Sequence, residues 1–435
     1  MSDTIELSIV MPCLNEAETL QRCIEKARLG IERAGVRGEV IVADNGSTDG
    51  SVEIAQKYGA RAVPVKAKGY GSALRGGIEA AYGKWIIMGD ADDSYDFSNI
   101  AGFVQQFRAG FELVMGCRLP VGGGTIAPGA MPWKNRWIGN PVLSFIGRLF
   151  FKCPAHDFHC GLRGFTKDAY QRMELTTTGM EFASEMIIKA TLKELKITEV
   201  PITLHKDGRS RPPHLKPWRD GWRHLRFMLI YSPQWLFFVP GLLLSVIGFL
   251  TGIALVVKSP IMLGSVRLDV GTMTVAFMGG LIGTQLVAFA FFTKVFAIAE
   301  GLLPAPTQFN RWFRVFSLEK GLIFGALVLL TGLAMLAHAV WSWKHVEFGL
   351  LPFEDNLRRL VPAGALSTLG IQIIFSSFLM SAWGLKTSSR NCPRRSETES
   401  GGGKTKSTHD GTRDLERTAR GVPLRAAAAN DAAKS

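Results

Sequence analysis

Trp85-Ile-Ile-Met-Gly-Asp90-Ala-Asp92-Asp93 is a short apolar run that opens directly onto carboxylates, the first two of them separated by one residue. A few apolar, partly β-branched residues stopped by a glycine read as a buried strand. Carboxylates at such a strand end can hold a hard divalent cation through oxygen ligands, and a cation held there can neutralise a departing diphosphate. The plainer alternative is an Asp-rich turn capping the next helix. The position at a strand end, together with the features below, favours a metal on Asp90 and Asp92.

Outward from this stretch, similar runs occur at residues 5–11, 39–44, 61–65 and 112–117. Between them, residues 16–33, 51–58 and 72–82 repeat apolar positions every three or four residues. Strands alternating with amphipathic helices predict a βαβ-type, mainly parallel α/β sheet. Ligands of such sheets bind beyond the carboxyl ends of the strands, which brings Asp44, Asp90, Asp92 and Arg118 toward one crevice. In Asp44-Asn-Gly-Ser-Thr-Asp49, Asp44 is placed to accept hydrogen bonds from a base or ribose, and Asp49 suits a capped βα turn. Ahead of the first predicted helix, Pro12 is expected to fix the loop and Asn15 to act as its N-cap. Lys66-Ala-Lys68-Gly69-Tyr-Gly71 lets backbone amides and cations approach a diphosphate. It lacks the third glycine of G-x-G-x-x-G and the Gly-Lys-Ser/Thr of a P-loop, so neither a dinucleotide oxidoreductase nor an NTPase is supported.

Beyond Tyr231 the pattern changes. Residues 235–257, 270–293, 321–340 and 361–385 are apolar stretches of about 20 residues or more, enough to cross a hydrocarbon core of roughly 30 Å as helices. Seventeen Lys and Arg flank one side of these stretches and five the other, which predicts a cytosolic N-terminal domain and C-terminal tail. The expected organisation is a cytosolic domain over 1–230, four spans over 231–386 and a disordered tail over 387–435. The net charge of +13 suits anionic partners, and the apolar second half favours a bilayer and phosphates over nucleic acid. Six irregularly spaced cysteines read as reduced, and the N-terminus carries no export signal.

Basic residues cluster in two further places. In Trp133-Lys134-Asn-Arg136-Trp137 the indoles fall at i and i+4, as on a helix lying at a membrane surface. From Arg209 to Arg226 the chain is densely basic; Trp218, Trp222, Leu225 and Leu229 share one helical face, as expected of an interfacial helix leading into the first span. Cys153, His156, His159 and Cys160 fall within eight positions, but one loop rarely closes a zinc tetrahedron, and no zinc is expected. Gln308-Phe-Asn-Arg311-Trp312 spells a short motif of processive synthases, but it follows two spans and reads as an interfacial cluster.

In order and spacing, Pro12-x-x-Asn15-Glu16, Asp44-Asn-Gly-Ser-Thr-Asp49-Gly, Gly69-x-Gly71 and Asp90-Ala-Asp92 resemble the family 2 glycosyltransferases, most of all the dolichol-phosphate mannose and glucose synthases. The resemblance implies a GT-A fold, with an all-α transmembrane domain of four helices appended. It implies a nucleotide-diphosphate sugar donor of the GDP-mannose or UDP-glucose class, with donor contacts at Pro12, Asn15, Glu16, Asp44, Lys66, Gly69, Asp90, Ala91 and Asp92. Mg²⁺ or Mn²⁺ would sit on Asp90 and Asp92. Gly116-Cys-Arg118 is similar to the family's Gly-Ser-Arg, whose arginine meets the acceptor, a polyprenyl or dolichyl phosphate. Acceptor-side residues would be Arg118, Lys134, Arg136, Asp157, Arg163, Arg209 and Arg211, with Arg118 and Arg136 acting in catalysis and Arg209 and Arg211 on a loop that closes over the diphosphate. Two positions depart from the pattern: Asn45, where many members carry a second aspartate, and Ser94, where the mannose synthases often carry Gln. The alternative activities are a glycosyltransferase of the same fold acting on a glycan or lipid headgroup, and a catalytically silent membrane scaffold.

Overall fold

The computed structural model describes residues 4–210, 217–258, 260–299 and 318–390. In chain order the first domain runs β1 (Leu7–Cys13), α1 (Ala17–Arg33), β2 (Gly38–Asp44), α2 (Ser51–Lys57), β3 (Arg61–Pro64), α3 (Tyr70–Ala80), β4 (Trp85–Met88), α4 (Ala101–Arg108) and β5 (Leu113–Cys117). It continues β6 (Thr125–Ile126), α5 (Asn140–Phe151), β7 (Arg163–Thr166), α6 (Lys167–Met173), α7 (Phe182–Leu192), β8 (Ile197–Pro201), β9 (Thr203–Leu204) and α8 (Pro217–Tyr231). Seven strands form one sheet in the order β3-β2-β1-β4-β7-β5-β8. The central strands are apolar on both faces because both are covered: Ile9, Met11 and Val42 pack toward α1 and α4, while Val10, Ile41 and Met88 join the core on the opposite face.

The five strands expected from sequence are present and parallel, with one interruption. β7 runs antiparallel to both neighbours, pairing Arg163 with Met88 of β4 and with Met115 of β5. A strand entering in that direction starts at the carboxyl edge of the sheet. The segment before it, residues 152–162, is therefore laid across the ends of β4 and β5, over the acidic turn.

Pro12 lies inside β1, opposite Ala43, and not in a loop as expected. The position tolerates proline because β4 pairs with β1 only as far as Val10, so no ladder bond is forfeited on that side.

Four helices are long and apolar enough to cross a membrane: Gln234–Val257, Val270–Ile298, Leu318–Lys344 and Phe353–Ala382. They meet through small residues. A Cβ on Gly248 would lie 2.4 Å from the backbone of Gly280, and one on Gly332 would lie 2.5 Å from Ser367. Close backbone approach of this kind replaces the hydrophobic drive that is absent within lipid. At the junction with the first domain, Phe150 of α5 stacks on Trp235 at 5.4 Å. Trp133, Trp137, Val142, Phe145 and Leu149 form an exposed apolar row just ahead of that junction, as a surface dipping into a bilayer interface would. The face of α8 differs from expectation: Leu225 packs with Phe227 and Tyr231 against the core of the first domain, whereas Trp222 is exposed. The tail from residue 391 and the Gln308–Trp312 motif lie outside the described residues.

Candidate active site

The turn after β4 sends its three carboxylates in different directions. Asp90 Oδ1 accepts a hydrogen bond from the Tyr70 hydroxyl at 2.9 Å. Desolvation, and then the charge of Asp92, push the Asp90 carboxyl up to about 7. Asp92 is buried; its Oδ1 accepts from the amide and hydroxyl of Ser94, at 3.0 and 2.5 Å. Asp93, at a positive φ of 62°, turns outward to Lys26 at 2.6 Å.

A cation already bridges part of this acid cluster. Arg209 donates to Asp92 Oδ2 at 2.7 Å and to Glu16 Oε1 at 3.1 Å, with Asp207 at 3.5 Å. Burial works against its charge, and Asp92 and Glu16 more than restore it. The loop carrying Arg209 is tied to the same turn: the Gly208 amide donates to the Asp92 carbonyl at 2.9 Å and the His205 amide to the Ser94 carbonyl at 2.9 Å. The Ala91 carbonyl accepts from the Thr19 hydroxyl at 2.6 Å, which fastens the turn to α1.

At the end of β2, buried Asp44 accepts from the amides of Gly46 and Ser47, at 3.0 and 3.1 Å. Asn45 donates to the carbonyls of Val65 and Ala67 and accepts from the Gly69 amide at 2.9 Å, so it holds the 65–69 loop closed over the edge. Lys66 is exposed on that loop. Gly69 has φ 125°, and a Cβ there would lie 2.3 Å from the Thr178 carbonyl oxygen, so only glycine fits. Asn15 is not the N-cap expected. It sits at φ 58° and accepts from the Thr48 amide at 2.8 Å, while the first amides of α1 are taken by Asp49 (from Ala17, 2.9 Å) and Ser51 (from Glu16, 3.0 Å).

Arg118, at the end of β5, makes a two-pronged pair with Asp157: Nε to Oδ2 at 2.7 Å and Nη2 to Oδ1 at 2.8 Å. Burial opposes ionisation of Asp157, and Arg118 overrides it, holding the carboxyl below the usual range. Glu199 fixes the segment from behind, accepting from the amides of His156 and Asp157 at 2.7 and 2.9 Å. The segment then passes Asp90. The Gly161 amide donates to the Tyr95 hydroxyl at 2.9 Å, and a Cβ on Gly161 would lie 3.0 Å from Asp90 Oδ2. The bare glycine keeps that oxygen approachable.

A divalent cation fits this arrangement. Two carboxylates one residue apart are crowded and partly desolvated, which disfavours two negative charges unless a positive one joins them, and the Arg209 guanidinium is already standing in that role for Asp92. Asp90 and Asp92 are the residues that would hold the ion.

Known proteins match both parts of the chain. Residues 8–173 match the model of the glycosyl transferase family 2, and residues 291–384 that of the glycosyltransferase family 2 C-terminal transmembrane region. The low-salt glycan biosynthesis hexosyltransferase Agl6 of Haloferax volcanii is 39% identical over 384 residues, covering 87% of this chain and 89% of that protein. The chain is a family 2 glycosyltransferase. A dolichyl-phosphate hexose transferase of the same organism is 29% identical over 218 residues, 50% of this glycosyltransferase and 89% of the relative. Among solved structures, glucosyl-3-phosphoglycerate synthase from Mycobacterium tuberculosis, in complex with Mn²⁺, UDP and glucosyl-3-phosphoglycerate, is 21% identical with a TM-score of 0.40, covering 52% of this chain and 78% of that one. The spans and the matched transmembrane region make this glycosyltransferase an integral membrane protein.

The residues singled out from sequence in this glycosyltransferase fall into distinct groups. Glu16, Asp90, Ala91, Asp92 and Arg209 converge at the acidic turn, and Arg118 with Asp157 lies beside it. Arg163 is elsewhere: it has no exposed surface and donates to the main-chain carbonyls of Cys160, Phe158 and Ala183, which makes it a brace of the core. Lys134 is exposed, and Arg136 lies over the Trp137 ring at 5.4 Å on the apolar row. Arg211 lies outside the described residues.

Sequence reasoning missed Tyr70 and Tyr95, and also Glu185. Fully buried Glu185 accepts from the amides and hydroxyls of Thr176 and Thr177 and pairs with Lys189 at 2.8 Å. It thereby sets the loop whose Thr178 carbonyl receives the Ser72 amide of α3 at 3.1 Å. The i, i+4 spacing of Glu185 and Lys189 was a readable signal. A concavity of about 1210 Å³ opens around Glu6, Tyr82 and Lys84 at the amino ends of the strands, the opposite end from this chemistry.

Proposed function

We propose that this glycosyltransferase moves a hexose from a nucleotide-diphosphate sugar to a polyprenyl or dolichyl phosphate, with inversion at the anomeric carbon. The observation that carries the reading is the Glu16–Arg209–Asp92 clasp: an acidic turn gripped by a loop eight residues ahead of α8, the helix that leads on to the first span at Gln234. A site so built handles anionic phosphates next to a lipid surface.

Asp44 and the closed 65–69 loop receive the nucleoside and diphosphate of a donor of the GDP-mannose or UDP-glucose class. Mg²⁺ or Mn²⁺ on Asp90 and Asp92 supplies charge neutralisation for the departing diphosphate. Arg209 leaves Asp92 for the diphosphate as the donor enters, and Arg211, two residues on in sequence, adds a second positive charge. A phosphate monoester has its second pKa near 6, so the acceptor is already largely anionic at neutral pH and needs no strong base. Arg118, held rigid by Asp157, and Arg136 at the bilayer surface orient that phosphate, with Lys134 adding charge. The catalytic domain and the tail face the cytosol, in keeping with the excess of Lys and Arg flanking that side of the spans. The relative named a dolichyl-phosphate hexose transferase supports the acceptor class.

The test is to incubate the detergent-purified protein with polyprenyl phosphate and a panel of radiolabelled nucleotide sugars. Label passing into the organic phase with one donor supports the reading. Label appearing only in a lengthening glycan contradicts it.

A further inference from the structure

Each of the two aspartates that would hold the cation has one oxygen tied by a hydroxyl group of the chain. Asp92 Oδ1 accepts from the Ser94 amide at 3.0 Å and from the Ser94 hydroxyl at 2.5 Å. Those bonds use both lone pairs of that oxygen, which leaves Oδ2, the atom paired with Arg209 at 2.7 Å, as the one that can serve an ion. Asp90 Oδ1 accepts from the Tyr70 hydroxyl at 2.9 Å, and Asp90 Oδ2 is the oxygen beside the bare Gly161.

Both hydroxyls are held from outside the acidic turn. Ser94 is buried, and its carbonyl receives the His205 amide at 2.9 Å. Its neighbour Tyr95 bridges to Leu204. Tyr70 opens α3 directly after Gly69, whose amide is bound by Asn45 at 2.9 Å. Each hydroxyl is thus a fixed point against which its carboxylate is oriented. An Asp-x-Ser turn by itself is ordinary: Asp96 Oδ1 accepts from the amide and hydroxyl of Ser98 in the same way, at 3.0 and 2.7 Å. Asp92 differs in that its other oxygen is joined through Arg209 to Glu16, and in that Asp90 is tied in the same one-sided manner by a residue of another element.

Oxygen supply decides which ion such a pair accepts. Ca²⁺ takes about six to eight oxygens and often draws two from one carboxylate, whereas Mg²⁺ keeps a tight octahedron with several waters and needs only one or two carboxylates. Among the described residues no group of three or more His, Cys, Asp or Glu side chains is placed to hold an ion, so the aspartate pair is the supply.

We propose that Tyr70 and Ser94 are positioning residues that set the ion preference of this glycosyltransferase. By withholding one oxygen of each aspartate, they leave a supply that suits Mg²⁺ or Mn²⁺ and falls short for Ca²⁺. The inference rests on the assignment of the cation to Asp90 and Asp92 made above.

The experiment uses the full chain in detergent, without donor. Mn²⁺ binding is followed by loss of the free-ion resonance signal, and the bound ion is then displaced with Mg²⁺ or with Ca²⁺. For the unaltered protein, Mg²⁺ displaces half of the bound Mn²⁺ at a lower concentration than Ca²⁺ does. The ratio of the two concentrations, Ca²⁺ over Mg²⁺, falls roughly tenfold when Tyr70→Phe and Ser94→Ala are combined, because each released oxygen becomes available to the larger ion. Ser94→Thr retains the hydroxyl and retains the ratio. So does Ser98→Ala, which removes the matching bond from the turn outside the site. Thermal denaturation checks folding throughout; should the double variant not fold, Tyr70→Phe alone decides, with a smaller fall in the same ratio. Ca²⁺ as effective as Mg²⁺ on the unaltered protein, or a ratio unchanged in folded variants that bind Mn²⁺, overturns the proposal and leaves the metal assignment standing. Absence of Mn²⁺ binding from both the unaltered protein and Arg209→Gln overturns the metal assignment itself, and the proposal with it.

Discussion

Arg209 and Asp92, 117 residues apart in sequence, meet at 2.7 Å. The contact joins the two halves of the site. Asp92 belongs to the turn expected to hold the metal, and Arg209 to the loop that precedes α8. A guanidinium on that carboxylate would compete with a divalent ion for the same oxygen.

The competition can be measured. Arg209→Gln removes the rival cation, and Mn²⁺ binding in the absence of donor should tighten roughly tenfold, read by calorimetry or by the Mn²⁺ resonance signal. Transfer should nevertheless slow, because the diphosphate loses a partner. Unchanged Mn²⁺ affinity would mean that Arg209 does not share the site.

The Arg118–Asp157 pair predicts a stability effect. Asp157→Asn leaves a buried guanidinium without its counter-charge and should cost about 3–5 kcal/mol, seen as a lowered Tm. Arg118→Lys should not restore stability, since a single ammonium cannot replace the two-pronged geometry.

The same pair sets a pH response. Asp157 has its carboxyl lowered in the folded protein, so its contribution is present above the ordinary carboxylate range and is lost as pH falls through the lower, folded value. Glu185 is lowered too: burial opposes its charge, and Lys189 and Thr177 overcome that penalty. Acid unfolding monitored by circular dichroism should begin at higher pH in a Glu185→Gln variant, which forfeits one of these contributions. An identical acid midpoint would contradict the assignment.

Much of the donor side was legible because it is local. β4 and its acidic turn are one continuous stretch, and the parallel strands announce themselves by β-branched runs. The spans are equally plain, since about twenty apolar residues have few alternatives. What escaped was set by distance. β7 reads as four ordinary residues, Arg-Gly-Phe-Thr, and only its place between β4 and β5 makes it antiparallel. Asn15 has the chemistry of a cap, yet Asp49 and Ser51, more than thirty residues away, win the helix start. Arg163 looks like a ligand-binding arginine in sequence, and three carbonyls from the folded core claim it. Leu225 falls on the predicted membrane face of α8, but the domain core offers it a nearer apolar surface.

The central claim is that Asp90 and Asp92 hold the cation that offsets the charge of the departing diphosphate. The direct measurement is the initial rate of sugar transfer to polyprenyl phosphate by Asp92→Asn beside the unaltered protein, with folding of both checked by thermal denaturation. The account predicts a loss of about 100-fold or more in rate, together with loss of Mn²⁺ binding. A folded Asp92→Asn protein that transfers sugar at the original rate would contradict it.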